Sequence, residues 1–146
     1  MKNIFYHSAV ARGILYFSKC HSIMLFGLVF SKLKEDKLPQ ASVNHEMVHA
    51  RQWSELTMVS GLLIMALVLT LDISVLWLFL SGLTYYAWYA VEWLCKSIWC
   101  SVMADEWTCD METPYQSVSF EREARKAYDD QNYLENSGYF GWLCLL

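Results

Sequence analysis

The chain has 146 residues, 55% of them hydrophobic and 16% aromatic, and a formal net charge of −4. Soluble domains carry about 45–50% apolar residues, so the excess asks for a place outside an ordinary core. The acidic balance gives no electrostatic case for a nucleic-acid partner. The length fits a single domain over residues 1–146. Its first 41 residues open with MKNIFYHSAVARGILYF, which lacks the clean apolar centre and cleavage site of a signal peptide. The runs GILYF (Gly13–Phe17) and SIMLFGLVF (Ser22–Phe30) are β-branched or aromatic and separated by SKCH. They read as the two strands of a short N-terminal β-hairpin, or as interfacial segments. KLKEDK (Lys32–Lys37) reads as a solvated, charged turn.

The next segment, NHEMVHARQW at 44–53, contains H-E-x-x-H as His45, Glu46 and His49. Histidines four apart on a helix point the same way. Zinc hydrolases use this spacing to hold the metal, with the glutamate beside it as general base for a polarised water. Pro39 ends the preceding segment, and Ser42 or Asn44 can cap the helix that carries the motif. The bland alternative is a pair of interfacial histidines with ordinary hydrogen-bond partners. A catalytic zinc takes three protein ligands and keeps one position open. Among the histidines only His7 and His21 remain to complete such a set.

The motif helix is expected over 42–71, running directly into a first membrane span. Leu56–Leu71 carries no charge over 16 residues, about 24 Å of helix. Asp72 interrupts, and Ile73–Leu94 gives a second apolar stretch, expected as a second span over 73–95. Tyr85, Tyr86, Trp88, Tyr89 and Trp93 gather toward its end as an interfacial belt does. All 11 Lys and Arg residues lie outside Leu56–Leu94. A hairpin of these two segments therefore puts both basic flanks, and the zinc motif, on the cytoplasmic side. The competing reading is a buried hairpin in a soluble oligomer. Glu92 has two readings: an interfacial carboxylate paired with Lys96 at i, i+4, or a polar group aimed into the helix bundle.

Residues 96–118 are expected as a loop containing the acidic stretch ADEWTCDMETP. The five cysteines Cys20, Cys95, Cys100, Cys109 and Cys144 form no C-x-x-C, and their odd number argues for free thiols. SFEREARKAYDDQNYL follows as a polar helix over 119–135, then an apolar tail over 136–146. Phe120, Ala124, Ala127 and Tyr128 form a stripe whose centre is about equidistant from Glu121 and Glu123, so helical geometry leaves open which of the two is a third metal ligand. The segment also fits a solvated helix resting on a membrane surface.

NHEMVHARQWSEL, the Trp- and Tyr-rich stretch and PYQSVSFEREA together resemble a group of small, uncharacterised bacterial integral membrane proteins with a zincin-like motif. More distantly they are similar to gluzincin metallopeptidases, whose third ligand is a glutamate on a later helix in an E-x-x-A pattern. The resemblance covers about residues 21–135. It implies His45, His49 and Glu121 as zinc ligands and Glu46 as catalytic base. Arg125 departs from it, standing where those peptidases have an aspartate, so support for a ligand histidine has to come from elsewhere, Glu55 or Glu123 being the candidates. In zincin peptidases an edge strand ahead of the motif helix receives the substrate chain, and Ser22–Phe30 occupies that place in the order of elements.

The expected fold is therefore mainly α: an integral membrane helical hairpin with a zincin-like site at the membrane interface. The expected function is a membrane-bound, zinc-dependent hydrolase acting on peptides, in the bacterial inner membrane with the metal site facing the cytoplasm. Its partners are the lipid bilayer, a peptide or lipid-linked substrate and, with no motif to support it, a second copy of the chain as a homodimer. One alternative substrate class is lipid-linked amides or esters. The other alternative is a non-catalytic membrane protein with a structural metal, closed by a fourth ligand such as Cys20 or His21. No substrate-binding residue is legible.

Overall fold

The computed structural model describes residues 4–18, 20–103, 112–130 and 132–146. It is mainly helical, with one small three-stranded sheet. The chain divides into two compact units, residues 1–54 with 124–139 and residues 55–123 with 140–146.

In the first unit, β1 (Ile4–Phe5) lies parallel to β3 (Leu28–Ser31), and β2 (Ser22–Leu25) lies antiparallel to it, giving the order β1-β3-β2. Ser22 pairs with Ser31 and Leu25 with Leu28. The hairpin thus lies wholly within SIMLFGLVFS, and Gly13–Phe17 is not one of its strands. Helix α1 (Ala9–Ile14) takes up the start of that run, because the Ser8 hydroxyl accepts the Val10 N–H at 3.2 Å and caps a helix there. The hairpin turns at Phe26 and Gly27, whose φ values of 51° and 75° are both positive, as a type I′ turn requires. A Cβ on Gly27 would stand 2.8 Å from Trp53 Cε3, so glycine is needed there for space as well as for backbone angle.

Helix α2 (Gln40–Leu71) starts in this unit, two residues earlier than expected. The Pro39 carbonyl accepts the Val43 N–H at 3.2 Å, and Asn44 accepts from the Gln40 amide at 2.9 Å. Proline thus sits at the helix boundary, and Asn44 lies a turn inside it, within the helix. Val48 packs in a buried cluster with Ala124 and Ala127 of helix α5 (Ser119–Asp129), against which Tyr133 and Leu134 lean. Those two belong to helix α6 (Tyr133–Asn136), tied back by Arg51, which donates to Ser137 Oγ at 2.9 Å and lies 5.7 Å from the Tyr133 ring centre. The expected single helix over 119–135 is therefore two, with α5 ending at Asp129.

The second unit contains the remainder of α2; the whole helix, Gln40–Leu71, is long and apolar enough to cross a membrane, the one such helix among the described residues. Its most apolar window has a mean hydropathy of 1.9 and is only 6% buried. Leu62, Leu63 and Leu69 stand open at 68%, 63% and 78% exposure. Asp72 ends the helix with φ 51°. The following apolar stretch is not one continuous α-helix: Val75–Leu83 is 3₁₀, capped by the Ser74 hydroxyl, and helix α3 begins at Thr84 and reaches Met103. The 3₁₀ segment folds back on α2 through small residues. Ser60 Oγ lies 3.4 Å from the Ser81 carbonyl, and a Cβ on Gly61 would sit 3.7 Å from Ser81 Cβ.

Much of the expected 96–118 loop is helical, since α3 continues through 96–103 and helix α4 covers Glu112–Ser117. The expectations for Cys109 and for most of the acidic stretch fall on 104–111, outside the described residues. Cys20, Cys95, Cys100 and Cys144 are free thiols. The C-terminal tail forms a 3₁₀ turn over Gly141–Leu145 and buries Trp142 against Phe120 and Trp88, at ring separations of 4.8 and 5.8 Å.

Candidate metal centre

His45 and His49 sit on successive turns of α2, and their Nε2 atoms face each other at 3.2 Å. Two histidines on a tetrahedral ion, each bonded at about 2.0–2.1 Å, have their nitrogens about 3.3 Å apart. The observed spacing fits that arrangement. His49 is 6% exposed, and its Nδ1 lies 2.9 Å from the Oε1 of Gln52, which is fully buried. An amide oxygen accepts only, so this contact suits the tautomer with the proton on Nδ1, which would leave the Nε2 lone pair for a metal. At His49 Nδ1 the neighbouring acceptor is thus Gln52. The Glu55 carboxylate accepts from the Phe140 N–H and the Trp142 indole N–H, both at 3.0 Å, and holds the C-terminal turn.

The third member comes from α5. Ala124 and Ala127 fix the face that this helix turns to α2, and Glu121 lies one turn before Ala124. One carboxylate oxygen of Glu121 and one ring nitrogen from each histidine all lie within 4.8 Å of one another. Glu123 is 1% exposed but does not belong to this group. Cys20 and His21 do not belong to it either, and both are exposed. Tyr128, expected on the apolar stripe, is instead 48% exposed, with its ring 5.1 Å from that of His45.

Two hydroxyls that sequence reasoning missed complete the surroundings. Ser22 Oγ, at the start of β2, donates to Glu46 Oε1 at 3.0 Å. Tyr89, on α3, donates to Glu121 Oε1 at 2.9 Å. Neither is close in sequence to its acceptor, and a lone serine or tyrosine carries no pattern that would single it out. Gln52 was legible in principle, because it extends H-E-x-x-H by three residues, the helical spacing at which side chains meet. Of the two readings of Glu92, its position fits a polar group turned inward: it is 9% exposed and accepts from the backbone N–H and the hydroxyl of Ser119, both at 2.7 Å.

Chemically, the donor set is two imidazoles and one carboxylate, the ligand chemistry of catalytic zinc. A second carboxylate, Glu46, lies on the same helix, held by a hydroxyl. Tyr89 also lines a cavity of about 600 Å³ with Ala90, Trp93, Glu112 and Tyr115, within the size range of ligand pockets. Comparison of the chain with protein-family models, with curated proteins and with solved structures gives no match.

Proposed function

We propose that the protein is a membrane-bound zinc hydrolase of the gluzincin kind, acting on peptides. The observation that carries this reading is the grouping of His45, His49 and Glu121, with Glu46 beside it and oriented by Ser22. His45, His49 and Glu121 would hold a zinc ion, which would supply a Lewis acid able to polarise a carbonyl and to make water nucleophilic near neutral pH. Glu46 takes a proton from the attacking water and returns it to the leaving nitrogen, as a general base and then acid. The Ser22 hydroxyl, donating to Oε1, turns the carboxylate toward that task, and Gln52 keeps His49 in the tautomer that can bind.

A peptide substrate is favoured by β2. It is an edge strand of its sheet, and its first residue holds Glu46. An extended peptide added to that edge would run past the base. The bilayer is favoured by α2, with its apolar, exposed second half, and the returning apolar segment from Val75 onward would complete a hairpin with it. The absence of charge between Leu56 and Leu71 and the basic residues on the flanks favour a cytoplasmic site. The apolar cavity beside Tyr89 favours a second reading, in which the substrate is a lipid-linked amide or ester. Defined lipids and peptides offered to the same purified protein separate the two.

Elemental analysis of the detergent-purified protein tests the centre first. Zinc is expected near one per chain, lost in His49→Ala and Glu121→Ala and retained in Glu46→Gln, which in turn loses hydrolysis by at least about a hundredfold, the scale of general-base catalysis. A folded parent that takes up no zinc sinks the proposal, and so does a Glu46→Gln variant with full activity.

A further inference from the structure

From this metal reading, and resting on it, we infer that Glu92 is the positioning residue for the third ligand, acting as a cap supplied by α3 to the helix that carries Glu121. The first four N–H groups of any helix have no partner within it and need one from outside. At the start of α5 that partner is a carboxylate from another helix. Glu92 Oε1 accepts the Ser119 N–H and Oε2 accepts the Ser119 hydroxyl, both at 2.7 Å, in a pocket where Ser119 is fully buried and Glu92 nearly so. Short bonds to an ionised acceptor are about twice as strong as neutral ones, and a negative charge is favoured at a helix N-terminus.

Ser119 is two residues before Glu121. Tyr89, which donates to Glu121 Oε1, is three residues before Glu92 on α3 and so shares its face. Helix α3 therefore grips the first turn of α5 at two points, one on the backbone and one on the ligand carboxylate itself. Phe120 between them is fully buried and stacks on Tyr85 at 4.9 Å, one turn earlier on α3. A side chain as free as glutamate would otherwise sample several rotamers. Clamping both its helix and its oxygen leaves it little choice of position. Glu92 never meets the metal. Its effect reaches the site through the rotation and height of α5.

The test is the apparent affinity for zinc of the full chain in detergent, by competition with a chromogenic chelator, together with the absorption spectrum of the cobalt-loaded protein. Glu92→Ala is expected to weaken zinc about 10–100-fold, the range for outer partners of metal ligands, and Glu92→Gln, which keeps the shape but loses the charge, about tenfold. Both are expected to alter the cobalt spectrum, which a merely destabilised but correctly built site would not show. In a Glu121→Ala background, Glu92→Gln is expected to change the residual affinity no further. If Glu92→Ala does not fold, Glu92→Gln carries the test alone. A folded Glu92→Gln protein with the parent's affinity and spectrum overturns the inference and leaves the metal centre standing. An equal loss with and without Glu121 also overturns it. A parent that takes up neither zinc nor cobalt overturns the metal reading and this inference together.

Discussion

In the proposed metal centre, Gln52 would support a ligand without touching the metal. Its side chain is fully buried, and its amide oxygen lies 2.9 Å from His49 Nδ1. Replacing it with alanine removes the bond that selects the tautomer, without moving a ligand. Zinc affinity is then expected to fall about 10–100-fold. Glutamate at the same position puts a carboxylate acceptor in place of the amide oxygen, and that variant is expected to bind zinc at least as tightly as the parent. Chelator competition on Gln52→Ala and Gln52→Glu checks both, and an unchanged affinity in the alanine variant would remove Gln52 from the site. His45, Glu46 and His49 were legible in the sequence because their spacing is the period of one helix. Glu121 needed more, since the choice against Glu123 depends on how α5 is rotated, and that is decided by contacts at Ala124 and Ala127 and by the bond to Tyr89 on another helix. Distance along the chain, not chemistry, hid Ser22, Tyr89 and Glu92.

At the scale of elements, the turn at Phe26–Gly27 binds the hairpin to the helix of the metal motif. Gly27 combines a positive φ with a ring of Trp53 where its Cβ would lie. Gly27→Ala must therefore strain the backbone and displace Trp53, at a cost of about 1–3 kcal/mol. Gly13 has nothing within 4 Å of its missing Cβ and lies in helix α1, so Gly13→Ala is expected to be neutral or slightly stabilising. Thermal unfolding of the two variants in one detergent reads the contrast, and equal midpoints would contradict it. The sequence marked a hairpin near this place but divided it wrongly. Phe-Gly is a weaker turn signal than Asn-Gly, and Gly13–Phe17 has strand-like composition that a serine cap overrides. The second apolar stretch misled in a similar way. Hydropathy reports burial in an apolar medium and is blind to whether the backbone closes i→i−3 or i→i−4 bonds, so the 3₁₀ segment over Val75–Leu83 could not be read from it.

At the scale of the whole molecule, the proposed membrane reading asks which side of a bilayer the site would face, and the charges of the chain argue for one answer. No Lys or Arg occurs between Leu56 and Leu94, and the segments on both sides carry all of them. An exposed apolar α2 and a chain that folds back at Asp72 make a hairpin the economical way to use both apolar stretches, with only its tip on the far side. Positively charged flanks stay in the cytoplasm. Cys20 is an exposed free thiol in the segment just before β2, well before the first apolar stretch, and so reports on the flank that carries the motif. In a variant retaining Cys20 and having serine at the other four cysteines, a membrane-impermeant maleimide is expected to leave intact cells unlabelled and to react once the membrane is permeabilised. Labelling of Cys20 in intact cells would place that flank outside. The zinc chemistry could survive that result, but the substrate would then have to be sought among extracytoplasmic peptides and lipids. Full extraction of the protein by alkaline wash, without detergent, would instead remove the bilayer from the account and leave the exposed face of α2 to be covered by another chain.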